Sequence, residues 1–352
     1  MQKITGILLL LGLMTLSPAA FSQTACDSEG GLDFICGPVN AEDLVLVPDT
    51  GWILASTRLP DTAFVGVDAD SGRWIAPEIR FSHDKGQYPL CPSAPDLAHL
   101  ETHGLNIRRG ADGRITLYSV GHGAREAIEV FAVETAGNLP VLTWTGCVLM
   151  PEGLAANSVA SFADGSLVAT VLLMPGKSFA DSVAMKPTGA VYKWIPGSNG
   201  FALIENSSLP GNNGIEVSAD GSEIYVVSSG FQTIVTFSNT NPAKQLRSTS
   251  QLPITPDNVH MGQNGKLLTA GMKNDVPACG GAPGPDHDLA TLGTCPRASI
   301  GIEIDPLTME HRVLVETPTI AAFSNATMVL VSGNRFWLGT FSGNRIAHGV
   351  LP

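Results

Sequence analysis

The chain has 352 residues, of which 15% are charged, and its formal charge is −12, with 20 Lys+Arg against 32 Asp+Glu. That length suits two average domains or one large all-β domain. An acidic surface of this kind repels phosphate backbones, which argues against nucleic acid as a partner, and it favours cations.

The first segment reads as a secretory leader. Lys3 supplies a positive start, Ile4 to Leu16 an apolar core, and Ala20-Phe21-Ser22 small residues at the cleavage positions. The expectation is a signal peptide over 1–22, a single domain over 23–352, and export to the periplasm or the medium. The apolar run is too short to span a bilayer comfortably, and no later segment is long and apolar enough to do so. All six cysteines follow the leader, and an even number in an exported chain points to disulfides. Spacing alone does not settle the pairing. It favours Cys26–Cys36 and Cys279–Cys295 as local bridges, with Cys91–Cys147 as the remainder. The absence of Cys-x-x-Cys leaves zinc and thioredoxin chemistry without a signal.

Beyond the leader, one pattern recurs. Glu42 stands seven residues before Asp49, Asn157 before Asp164-Gly165, Asn213 before Asp220-Gly221, and Asp257 before Asn264-Gly265. A short apolar stretch lies between each oxygen-bearing residue and its turn, and a second apolar stretch follows. Asp-Gly between alternating apolar runs is a hairpin signal. Comparable units surround Asp112-Gly113 and Gly333-Asn334, which makes six in all. No segment shows a sustained 3.6-residue period, and Gly (38) and Pro (24) are abundant. The fold expected is all-β, a six-bladed β-propeller. Two tandem sandwiches compete, but there is no linker and the repeat phase is continuous.

A turn former belongs in the turn, not seven residues upstream of it. In a radial array, groups held in one phase converge on the axis. Glu42 and Asp257 bring two negative charges, matching one divalent ion, and Asn157, Asn213 and Asn258 add neutral oxygens. Water or substrate would complete the 6–8 ligands that calcium prefers. A set without His or Cys speaks against zinc and copper.

The second unit differs. Its phase-equivalent residue is Leu105, with His103 two positions earlier and His122 after the strand Ile115–Val120. Antiparallel pairing about Asp112-Gly113 would bring both rings to one end of the blade, where one could take a proton from water and the other orient it. Structural histidines bonding to loop carbonyls are the competing reading. The remaining histidines show no such arrangement, and His287 reads as a solvated loop residue. Residues 82–102 read as a connector, and 274–298 as a Gly/Pro-rich loop bounded by Cys279 and Cys295. There is no Gly-x-Ser-x-Gly elbow, His-Glu-x-x-His, phosphate loop or dinucleotide fingerprint.

Glu42-Asp43-Leu44, His103-Gly104-Leu105, Gly121-His122-Gly123, Asn157-Ser158-Val159, Asn213-Gly214-Ile215 and Asp257-Asn258-Val259 fall in the order of the site motifs of the paraoxonase/arylesterase family of calcium-dependent lactonases. The chain resembles that family through most of its mature length. The resemblance implies a six-bladed propeller acting on lactones and aryl esters, with catalytic calcium held by Glu42, Asn157, Asn213, Asp257 and Asn258 and a histidine dyad at His103 and His122. It also implies a second, structural calcium, for which Asp43 and Leu105 match but Ser158 replaces an acid. The resulting expectation is a carboxylic-ester hydrolase taking a small-molecule lactone or ester. The alternatives are a sugar lactonase of the gluconolactonase type and a non-catalytic propeller that binds a partner.

Overall fold

The computed structural model of the protein describes residues 26–135, 139–274, 276–281 and 295–352. The leader, His287 and most of the 274–298 loop lie outside the described residues.

After β1 (Asp33–Cys36), the first blade is β2 (Leu44–Leu46), β3 (Trp52–Ser56), β4 (Phe64–Asp68) and β5 (Trp74–Ile75). Strand β6 (Glu78–Phe81) precedes the second blade, β7 (Leu100–Arg109), β8 (Ile115–Gly123), β9 (Ala127–Glu134) and β10 (Val141–Leu149). The third is β11 (Val159–Ser161), β12 (Leu167–Val171), β13 (Ala190–Trp194) and β14 (Ala202–Leu203), with a short helix α1 (Phe179–Val183) between β12 and β13. The fourth is β15 (Asn212–Val217), β16 (Glu223–Ser228), β17 (Thr233–Ser238) and β18 (Gln245–Ser248). The fifth is β19 (Ile254–Met261), β20 (Leu267–Lys273), β21 (Ser299–Ile304) and β22 (His311–Glu316). The sixth is β23 (Ala326–Ser332), β24 (Arg335–Thr340) and β25 (Arg345–Val350), completed by β1 on its outer edge.

These six antiparallel sheets form a six-bladed β-propeller, as the repeat implied. Each of the six turn signals joins the first two strands of a blade. The polar turn residues are spent locally: Asp112, Asp164 and Asp220 each accept the N–H two residues on, as does Asn264. This is the Asx-turn use of such side chains. Gly165 (φ 83°) and Gly221 (φ 73°) supply the left-handed backbone that a side chain resists.

Apolar strand faces pack blade against blade. Phe64 of β4 meets Phe131 of β9 edge to face at 5.1 Å, and Leu54, Leu105, Leu117 and Val159 belong to the same buried cluster across three blades. The ring closes where β1 pairs antiparallel with β25, in register from Asp33–His348 to Cys36–Arg345. The disulfides are Cys26–Cys36, Cys91–Cys147 and Cys279–Cys295, the pairing that spacing favoured. Among the described residues no helix is long and apolar enough to cross a membrane.

Three local expectations need correction. The connector ends at His99, because β7 already begins at Leu100. His122 lies inside β8 rather than after it. The second blade also gains an outer fifth strand, β6, paired parallel to β10.

Candidate functional site

The inner strands of the blades carry the site, and they are irregular at the same place. The pairing register shifts between Thr102 and Leu105 in β7, between Asn212 and Ile215 in β15, and between Pro256 and Val259 in β19. A bulge adds a residue and re-aims side chains. Here the bulged residues are His103-Gly104, Asn213-Gly214 and Asp257-Asn258, and Asn157 precedes β11 at the equivalent point. Glycine permits the crowding that results. A Cβ on Gly104 would lie 2.6 Å from the Asn157 carbonyl oxygen, and one on Gly214 would lie 2.6 Å from that of Asp257.

Hydroxyl groups lock the backbone between blades. Thr170 Oγ1 donates to the Asn213 carbonyl, Thr327 Oγ1 to that of Glu42, and Ser229 Oγ to that of Pro256 (3.0 Å). Thr269 Oγ1 holds the Asn258 carbonyl at 2.6 Å. The hydroxyls therefore fix the main chain and leave Glu42 Oε2, Asn213 Oδ1 and Asn258 Oδ1 without a protein donor.

Glu42, His103, Asn157, Asn213 and Asp257 line one cavity of about 370 Å³, and Asn258 joins the group by donating Nδ2 to Glu42 Oε1 at 2.6 Å. Four buried oxygens there have no hydrogen-bond partner: Glu42 Oε2, Asn157 Oδ1, Asn213 Oδ1 and Asn258 Oδ1. Each comes from a different blade. Leaving such a group unsatisfied typically costs about 1–3 kcal/mol, so four together fit a cation or hydrogen-bond donors held in the cavity. Burial, then Asp257 and Asp43, push the Glu42 carboxyl well above its ordinary range. Burial likewise raises Asp257 to about 7, with the Asn213 hydrogen bond opposing and Asp43 adding to the rise. Among the described residues no three His, Cys, Asp or Glu side chains gather as a metal site by themselves. The candidate set is three amides and two acids, a hard-oxygen composition that suits calcium and not zinc.

The histidine pair lies beside this floor. His103 Nδ1 is 3.2 Å from His122 Nε2, and His103 Nε2 is 3.6 Å from Glu42 Oε2. His122 Nδ1 reaches Glu126 Oε2 at 2.7 Å. Burial lowers His103 to about 3, aided by His122 and Arg58, so its ring is neutral at pH 7. Leu172, Phe179, Met272 and Phe341 add apolar lining to the same cavity, and Arg58 and Asn40 add polar lining.

Sequence reasoning missed four features. The first is His260, which does have an arrangement comparable to the pair. It is two residues beyond Asn258, hence on the same face of β19. Its Nε2 is 2.7 Å from Asp43 Oδ1 and its Nδ1 is 3.8 Å from Glu216 Oε2. Burial opposes its charge, but Asp43 and Glu216 outweigh this and raise it to about 10. Asp43 Oδ2 meanwhile accepts the Leu105 N–H at 2.7 Å. Asp43 thus has a partner on each carboxylate oxygen. The second is Glu126, four residues after His122 across a tight hairpin. The third is α1, too short to show a period, which carries Phe179. The fourth is the ring of hydroxyl clamps, where Thr and Ser read simply as strand residues.

No family model and no curated protein matches the chain. Solved structures match in fold. A luciferin-regenerating enzyme is 13% identical, with a TM-score of 0.51, over 89% of this chain and 91% of that one. A gluconolactonase from Xanthomonas campestris is 15% identical, with a TM-score of 0.52, over 92% and 90%. Regucalcin, a calcium-binding protein from Agrobacterium tumefaciens, is 12% identical, with a TM-score of 0.50, over 89% and 91%. The chain therefore shares the propeller architecture of gluconolactonase- and regucalcin-like proteins along nearly its whole length.

Proposed function

We propose that this protein is a calcium-dependent hydrolase of small lactones or aryl esters. The observation that carries the reading is the set of four buried, unpartnered oxygens from separate blades on the floor of a cavity flanked by a histidine pair. Glu42, Asn157, Asn213, Asp257 and Asn258 would hold the ion. Calcium there supplies a Lewis acid toward a substrate carbonyl oxygen.

The remaining chemistry falls to the side chains. His103 Nε2 takes a proton from water as the water oxygen bonds to the carbonyl carbon. The C–O bond to the leaving group then breaks, and the proton passes from His103 to the departing oxygen. His122 supports the ring through Nδ1 of His103. Leu172, Phe179, Met272 and Phe341 exclude water and seat the organic part of the substrate. Three disulfides support an oxidising compartment and hence export.

The test is hydrolysis of phenyl acetate and an aliphatic acyl lactone, with gluconolactone for comparison, before and after chelation. The expected result is calcium-dependent turnover of the first two. The apolar walls disfavour a polyhydroxylated ring, so preference for gluconolactone would point to a sugar lactonase. No turnover of any of the three by calcium-loaded protein would leave a binding propeller.

A further inference from the structure

We propose that Glu126 sets the tautomers of the histidine pair, so that a bare nitrogen of His103 faces the acidic floor of the cavity. The inference rests on the hydrolase reading for its catalytic consequence, though not for its geometry. Three contacts in a row carry it.

Glu126 Oε2 lies 2.7 Å from His122 Nδ1. An ionised carboxylate only accepts, so the hydrogen sits on Nδ1, and a neutral imidazole has no second one. His122 Nε2 is then an acceptor. It lies 3.2 Å from His103 Nδ1, which must therefore carry the hydrogen of that ring. What remains is His103 Nε2, with a free lone pair, on the cavity wall. That nitrogen faces Glu42 Oε2 at 3.6 Å.

The direction of the chain matters for the proposed chemistry. Were each ring protonated on Nε2 instead, the hydrogen of His103 would point at the site and no lone pair would be offered to water. Nothing within the pair chooses between the two arrangements, because reversing both rings preserves their mutual hydrogen bond. The carboxylate at the outer end makes the choice. Its side chain is 38% exposed against 18% for His122, so it lies nearer the solvent than the ring it holds. Glu126 is thus a positioning residue that touches neither substrate nor ion.

Tautomers are read directly by nitrogen–proton correlation spectra of protein labelled with ¹⁵N-histidine, with and without calcium, at neutral pH. In the wild type both rings should carry their hydrogen on Nδ1. Glu126→Leu should move the hydrogen of His122 to Nε2 and lower kcat on phenyl acetate by about 10- to 100-fold, the usual effect of losing an orienting partner, with KM little changed. Glu126→Gln, whose amide can accept or donate, should weaken the bias and fall between the wild type and Glu126→Leu in both readouts.

Wild-type His122 protonated on Nε2 would overturn the proposal. So would unaltered tautomers in Glu126→Leu, or shifted tautomers with full turnover. A wild type that hydrolyses nothing yet shows these tautomers and their loss in Glu126→Leu would overturn the hydrolase reading and leave the assignment supported.

Discussion

Glu42 and Asp257 are two carboxylates in a place that penalises charge, and their raised pKa values make the empty and filled sites respond oppositely to pH. Without an ion, the folded protein binds protons there that the unfolded chain has lost. Stability then falls as pH rises from the ordinary carboxylate range through about 7 for Asp257. With calcium present the ionised forms are the useful ones, so the gain from calcium should grow over the same interval. Thermal melts of chelated and calcium-loaded protein from acid to mildly alkaline pH check this; parallel profiles would contradict it. His103→Gln should fold normally and lose about 10²–10⁴ in turnover, the usual range for a general base. Normal turnover would remove His103 from its role. At this scale four of the five candidate oxygen ligands were legible because they share a phase with their turns, Asn258 as the neighbour of Asp257, and His103 and His122 because they flank one hairpin. His260 and Glu126 were not. Their roles depend on Asp43, from another blade, and on the ring geometry of the pair, and neither follows from spacing.

The inner strands show how a repeat becomes a site. Turn acids such as Asp164 and Asp220 bond to their own loops, while of the amides seven residues upstream Asn213 sits on a bulge and Asn157 just before β11. The strands and turns were readable from apolar alternation and Asp-Gly pairs. The bulges were not, because a register shift depends on the partner strand. Gly214 is the clearest consequence. A methyl group there meets Asp257 O and Val259 N at 2.6 Å, both of them backbone atoms of the next blade. Gly214→Ala should therefore push β15 from β19, cost about 1–3 kcal/mol, as overpacking does, and weaken calcium binding. Urea denaturation with and without calcium measures both, and wild-type behaviour in each would contradict the account.

The whole molecule is a ring sealed by β1 against β25, with a hub in which separate blades share one cavity. The sixfold plan was legible because the units keep phase across the chain. Closure by an N-terminal strand was not, since Asp33–Cys36 carries no repeat signal. The Cys91–Cys147 bridge spans 56 residues and ties the connector to β10. Replacing both cysteines with serine should remove about 2–4 kcal/mol, measurable by denaturant titration while calcium affinity stays close to normal. The hub itself is tested most directly by calorimetric titration of chelator-stripped protein with calcium. The account predicts saturable uptake of a single ion per chain, accompanied by proton release near neutral pH and abolished by Asn213→Ala combined with Asp257→Asn. Heat no greater than dilution, or uptake undiminished in the double variant, would contradict it.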